Sequence, residues 1–204
     1  MNINEKKSFD VIVIGGGAAG MMAAITAASN GADTMILEHK DRVGKKILST
    51  GNGKCNYTNE LQGVTYYRGD DPAFVLPVME QFGFEETVSF FEKLGIYPKN
   101  RNGYYYPASE QAASVSDVLR MELTFRHVAV VTECELRNIS EKKNGFLLET
   151  GKGRFSAQKI IFATGLLAAP KTGSDGSAIP LIKAFGHRFS DIVPALTALQ
   201  CRES

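Results

Sequence analysis

The 204-residue sequence has no excess of one charge: 23 lysines and arginines stand against 22 aspartates and glutamates, leaving a net charge of +1. That balance gives no electrostatic case for nucleic acid or an anionic membrane surface as a partner. No apolar run approaches the roughly 18 residues needed to cross a bilayer. Cysteine is scarce. Cys55, Cys134 and Cys201 are scattered with no CxxC pair, which speaks against a disulfide framework and against a zinc site. The first residues, Met1–Ser8, carry two lysines but no apolar stretch distinct from Phe9–Ile14. They make a poor secretion signal, and a cytoplasmic location is expected. Internal repeats and low-complexity segments are also missing. What remains, 44% hydrophobic and 22% charged residues, is ordinary for a globular chain of one domain or two small ones.

The most informative segment is Phe9-Asp-Val-Ile-Val-Ile-Gly-Gly-Gly-Ala-Ala-Gly20, an apolar strand running directly into a glycine-rich turn. Gly15, Gly17 and Gly20 satisfy GxGxxG, and Glu38 closes a second apolar strand, Thr34–Leu37. Each part has its own physical purpose in binding a dinucleotide. Gly15 permits the tight turn, Gly17 lets the backbone approach a pyrophosphate, and Gly20 lets a helix pack closely on the strand. A helix starting at Ala18 aims its first N–H groups and positive dipole end at the phosphates. Glu38 is placed to accept hydrogen bonds from a ribose diol and to repel a 2′-phosphate.

The chain then reads as an ordered set of parts. Ala18–Ser29 is an alanine-rich helix stopped by Asn30-Gly31. Residues 40–60 are polar and punctuated by glycine, a long irregular stretch of the kind that usually binds a ligand. Helical signals run from Pro72 to Gly95, with Phe74, Val75, Val78 and Phe82 on one face, then Val88, Phe91 and Leu94 on another. Gly103–Pro107 reads as a short edge strand. Ser109 and Ser114 are both plausible caps for a helix carrying Val115, Val118, Leu119 and Leu123. From Val128 the period changes to two, predicting short strands at Val128–Val131, Cys134–Ile139, Phe146–Glu149 and Arg154–Ser156. A separate buried strand, Lys159–Ala163, ends in Ala-Thr-Gly165, and a helix follows from about Ser177 to Phe185. Plain nicotinamide dehydrogenases continue in alternating strand–helix units and lack such a meander; flavin-binding domains have it.

Lys45-Lys-Ile-Leu-Ser-Thr-Gly-Asn-Gly-Lys-Cys-Asn-Tyr-Thr-Asn59 resembles the signature of a bacterial family of FAD-dependent oxidoreductases. The family is labelled aminoacetone-oxidase-like, and some members are assigned as 3-dehydro-bile-acid Δ4,6-reductases. Ala163-Thr-Gly165, Pro170–Gly176, Ala184–His187 and Val193–Leu196 resemble its later motifs, so the likeness runs from residue 9 to about 200. Two departures stand out. Leu166 occupies the place of a customary second glycine, and members of the family are longer, continuing into an insert domain and then returning to the flavin domain. The resemblance implies an α/β, Rossmann-like FAD-binding domain over residues 1–200, with a mainly helical excursion at 60–127 and a β-meander at 128–158. Residues 201–204 would open the insert. A chain stopping there is expected to leave an apolar patch near Ile160–Phe162 and Ile192–Leu199 and to self-associate through it.

The same resemblance assigns residues to the cofactor. Gly15, Gly17, Ala18, Ala19 and Gly20 would hold the pyrophosphate, Glu38 the adenosine ribose, and the Leu136 backbone the adenine. Thr164 and Gly165 would close over the cofactor. Gly51, Asn52, Gly53, Lys54, Cys55 and Asn56 would pass beside the flavin ring. Lys45 and Lys46 either lie near the phosphates or, like Arg42, are solvated surface charge. Cys55 is either a redox nucleophile or a packing cysteine; no histidine is placed by sequence to activate it. His39, His127 and His187 read as surface or capping residues. Tyr104–Tyr106 either line a substrate cavity or form an amphipathic strand. No acid–base dyad can be identified, and none is required when a flavin carries the redox step. Three functions stay open: a flavoenzyme moving hydride or electrons between NAD(P)H or oxygen and a small organic or steroid-like molecule, an NAD-dependent dehydrogenase, and a non-catalytic nucleotide-binding fragment.

Overall fold

The structure is a computed structural model and describes residues 7–194. Strand β1 (Ser8–Ile14), helix α1 (Ala18–Ser29) and β2 (Thr34–Leu37) form the opening unit, with β1 and β2 parallel and Val11 opposite Thr34. β1 also pairs in parallel with β9 (Gly153–Phe162), and β2 with β6 (Ala129–Val131). Antiparallel β8 (Gly145–Thr150) and β7 (Leu136–Lys142) complete a six-stranded sheet of order β6-β2-β1-β9-β8-β7.

The unbroken apolar run of β1 follows from burial on both faces. Val13 and Ile36 turn toward α1 and α4 (Ala112–Phe125), joining Met21, Ala24, Ile25, Leu119 and Leu123 in one core. Ile12, Ile14, Met35 and Leu37 turn the other way and meet Leu148, Phe155 and Ala157 of the antiparallel strands. The long strand β9 makes this possible. Its residues 153–157 pair with β8, and its residues 156–162 pair with β1.

Between β2 and α4 the chain makes a second, small sheet of order β3-β5-β4, from β3 (Thr58–Asn59), β4 (Pro98–Arg101) and β5 (Tyr104–Pro107). Helix α3 (Phe84–Lys93) packs on it through aromatic pairs, Tyr57–Phe91 at 5.0 Å and Phe84–Tyr105 at 4.8 Å between ring centroids. A short α2 (Leu76–Met79) precedes it, and α5 (Ile179–Ala184) follows β9.

The structure departs from the sequence expectations in five places. The helix expected from Pro72 splits into a 3-10 turn at Pro72–Val75 and the single turn α2, because Pro77 lacks the N–H that a continuous helix needs. Its supposed inner face stays in solvent, with Phe74 at 74% and Val78 at 62% exposure. Gly103–Pro107 supplies the middle strand of its sheet, not an edge, and its partner β4 carried no apolar pattern to announce it. Ser109 and Ser114 bond to one another, and the N-cap position of α4 is Gln111, which makes no side-chain cap. The strand beginning near Val128 pairs in parallel with β2 and so lies outside the meander. Arg154–Ser156 and Lys159–Ala163 are one strand; the polar Gln158 that seemed to divide them donates to Asp10 at 2.8 Å.

At the expected apolar patch, Ile160 and Phe162 pack against the meander-side core, while Ile161 is 36% and Val193 74% exposed. Residues 195–199 lie outside the described residues. Among the described residues no helix is long and apolar enough to cross a membrane.

The two faces give a contrast that can be measured. Leu119→Ala removes a side chain 1% exposed in the helix-side core and should lower unfolding stability by about 2–5 kcal/mol in a urea titration. Phe74→Ser should change it by less than about 0.5 kcal/mol.

Candidate functional site

The C-terminal ends of the parallel strands open onto a cavity of about 790 Å³, within the usual span of ligand pockets. Gly15, Gly17, Ala18 and Ala19 form its floor where β1 becomes α1. The glycines of the turn are there for different reasons. Gly15 has φ +97°, and a Cβ on it would lie 2.6 Å from the Ala163 carbonyl oxygen. A Cβ on Gly20 would lie 1.8 Å from the Gly15 oxygen, so this buried residue sets how closely the helix meets the strand without lining the cavity. Gly17 differs. Its φ of −72° suits any residue, and a Cβ there would meet nothing within 4 Å. Neither backbone nor packing among the described residues requires a glycine at 17; its open side is the cavity floor.

Glu38 is 8% exposed and lines the same space. Its carboxylate accepts from the Gly16 N–H at 2.7 Å and the Lys40 N–H at 2.8 Å, which ties the end of β2 to the glycine turn. Each oxygen keeps a lone pair for another donor. Lys45 and Lys46 also line the wall. Lys45 is paired with Asp41 at 2.7 Å, whereas the Lys46 ammonium reaches across the cavity to the Ser174 hydroxyl. Leu136, at the irregular start of β7, and Thr164 and Gly165, beyond β9, complete the set of expected residues on the wall.

The flavin-ring residues are placed otherwise. The wall includes Ile47 and Thr50 but not Gly51, Asn52, Gly53, Cys55 or Asn56. Gly51, Asn52, Gly53 and Cys55 all have positive φ, between 53° and 80°, so the backbone there is left-handed and turns tightly. Asn56 is fixed by donating to the Thr58 and Tyr105 carbonyls. Cys55 faces into the helix-side core at 6% exposure. Burial pushes its thiol up, against a hydrogen bond with Thr50 that lowers it, so the thiol is neutral near pH 7 and the packing reading is favoured. Tyr57 beside it is likewise held neutral, its phenol pushed up to about 12, chiefly by burial.

Among the wall residues given no cofactor role by sequence are Ser174, Asp175 and His39, the last read as a surface or capping residue. The buried His39 Nε2 makes no hydrogen bond among the described residues, and the Asp175 carboxylate stands 3.8 Å away. The Ser177 hydroxyl, with its backbone N–H and His39, holds Asp175 below the usual carboxylate range. A usable signal existed in Gly173-Ser-Asp-Gly176, small polar residues between two glycines of positive φ. Gly165 must also be glycine, since a Cβ would sit 2.5 Å from the Ser174 oxygen.

Comparison with known proteins places the chain in a family and a fold. The HI0933-like protein Rossmann domain family matches residues 9–194. A 3-dehydro-bile acid Δ(4,6)-reductase from Clostridium scindens is 45% identical over 193 residues, covering 94% of this chain and 47% of its own length. A ribosomal RNA dihydrouridine synthase from Escherichia coli is 26% identical, covering 87% of this chain and 44% of its own. The chain thus spans about half the length of the curated relatives it matches. The fold is shared with a 3-ketosteroid-Δ4-(5α)-dehydrogenase from Rhodococcus jostii, at TM-score 0.57 and 16% identity over 91% of this chain and 55% of that one.

The burial of Cys55 carries a direct test. In the native chain at pH 7.5 Cys55 should resist iodoacetamide for hours and react within minutes in urea, as read by peptide mass mapping. Rapid native labelling would mark a reactive thiol instead.

Proposed function

This chain belongs to the HI0933-like protein Rossmann family, and on that premise we propose that it forms the FAD-binding part of an oxidoreductase. The observation that carries the reading is Gly17. It is the residue of the turn whose missing side chain serves nothing inside the protein, and it lies under the cavity at the N-terminus of α1. An atom group resting on that backbone accounts for the glycine, and a pyrophosphate fits the N–H groups and dipole end that meet it. The donor set fits the rest of a dinucleotide: Lys46 for a phosphate, Glu38 for a ribose diol, and the start of β7 at Leu136 for an adenine.

FAD, when bound, supplies reversible hydride and electron chemistry. This chain's part is to grip and orient it. In the same reading the Gly51–Asn56 loop lies past the rim, at the flavin-ring end, where small residues permit close backbone approach. The reductase relative supports a small organic or steroid-like substrate, and NAD(P)H is the electron donor proposed beside it. The ribosomal RNA synthase relative raises a nucleic acid substrate, but the near-neutral charge of this chain gives no support for one. Free, buried Cys55 and Cys134 fit a reducing compartment such as the cytoplasm.

Purified chain equilibrated with FAD and desalted should retain flavin bands near roughly 370 and 450 nm. Gly17→Val should lose them while melting normally, because the new side chain enters open space in the protein and occupied space in the complex. Retention of flavin by that variant would end the assignment. Glu38→Ala should weaken FAD binding about 10- to 100-fold in a fluorescence titration, from lost charge-assisted hydrogen bonds. It should also lower the melting temperature, because Gly16 and Lys40 lose their acceptor. A fall in melting temperature with unchanged affinity would remove the ribose role and leave the structural one.

A further inference from the structure

The cavity wall contains no residue of helix α4, yet α4 holds the segment that carries Lys45 and Lys46 into that wall. Arg120 donates to the Val43 carbonyl twice, from one terminal nitrogen at 2.7 Å and from Nε at 3.2 Å, and its other terminal nitrogen donates to Asp117 at 2.9 Å. Val43 is 6% exposed and fills the space beside Gly16, where a Cβ would lie 2.3 Å from Val43 Cγ1. The next residue, Gly44, donates its N–H to the Gly16 carbonyl at 2.7 Å and lies against Ser116 of α4. Gly16 is in turn the residue whose N–H is held by Glu38. Lys45 and Lys46, which come directly after Gly44, line the cavity.

We infer that Arg120 is a positioning residue for cofactor binding: from outside the cavity it clamps the Val43 carbonyl, and through Val43 and Gly44 it fixes both the glycine turn and the aim of Lys46. The clamp is bidentate and charge-assisted, the geometry that restrains a carbonyl most firmly. The segment's other ties include the Gly44–Gly16 hydrogen bond, the buried Val43 side chain and the side-chain contacts of Lys45 and Lys46. Between Glu38 and Ile47 there is no regular element, and Gly44 has φ +76°. Without the guanidinium the Val43 carbonyl loses these two donors, the Val43–Lys46 segment loosens, and the Gly44 contact to Gly16 and the aim of Lys46 are held less firmly. The inference rests on the FAD reading for the identity of the ligand, but the clamp itself can be measured without one.

Two readouts separate the questions. In cofactor-free protein, amide exchange of a peptide covering residues 42–47 should quicken about tenfold in Arg120→Met and much less in Arg120→Lys, which keeps one donor. In FAD titrations Arg120→Met should weaken binding about tenfold, Arg120→Lys less than about threefold, and Asp117→Asn not at all, with melting temperatures close to wild type. Unchanged exchange and unchanged affinity in a folded Arg120→Met would overturn the inference. So would a loss of affinity shared equally by Asp117→Asn, since that variant leaves the Val43 grip intact. Wild-type protein that shows the exchange difference but binds no FAD would sink the FAD reading while the clamp stands.

Discussion

Helix α1 begins where it does because Gly20 has no side chain. The Gly15 carbonyl occupies the place of its Cβ, at 1.8 Å, so any other residue would push the helix off the strand end. The positions of the cavity floor, the open Gly17 and the first N–H groups of α1 all follow from that contact. Burial of β1 on both faces holds the strand end still, and Glu38 locks the turn from the side. A short, rigid junction of this kind suits a site that must present backbone groups, which have no rotamers with which to adjust.

The parts legible in sequence are those where local chemistry and tertiary need agree. Phe9–Ile14, Ala18–Ser29 and Thr34–Leu37 could be read almost to the residue, because an apolar run, an alanine-rich period and Asn30-Gly31 each state one structure without a rival. The spacing of Val115, Leu119 and Leu123 likewise names the buried face of α4. The misreadings arise where pairing, not side-chain pattern, decides. Pro98–Arg101 is a strand because Tyr104–Pro107 hydrogen-bonds to it, and Lys99, Asn100 and Arg101 are exposed. The parallel course of Ala129–Val131 depends on β2, far earlier in the chain.

The cavity was legible in the same uneven way. Glycines, Glu38 and the Ala-Thr-Gly stretch belong to compact motifs whose order predicts their place. His39, Ser174 and Asp175 meet only after the chain has crossed the sheet and returned, and Arg120 acts through two contacts to one carbonyl that leave no trace in its sequence neighbours. The Gly51–Asn56 loop shows the opposite case. Its composition announces a special backbone, which it has, yet the cavity wall stops at Thr50. Composition can announce a turn without saying which way it faces.

The ten-residue β9 has a further consequence for how this fold can be altered. Because one strand is shared by the meander and the parallel sheet, the two cannot be exchanged as independent modules. A recombination junction placed at Gln158, where the hydropathy suggests a boundary, would join half-ladders from different parents and leave their registers to be reconciled inside a core. A one-residue mismatch there would turn Ile160 and Phe162 away from the meander-side core. Chimeras should instead change parents at the Gly151–Gly153 hairpin or after Gly165, so that β9 descends intact from a single parent.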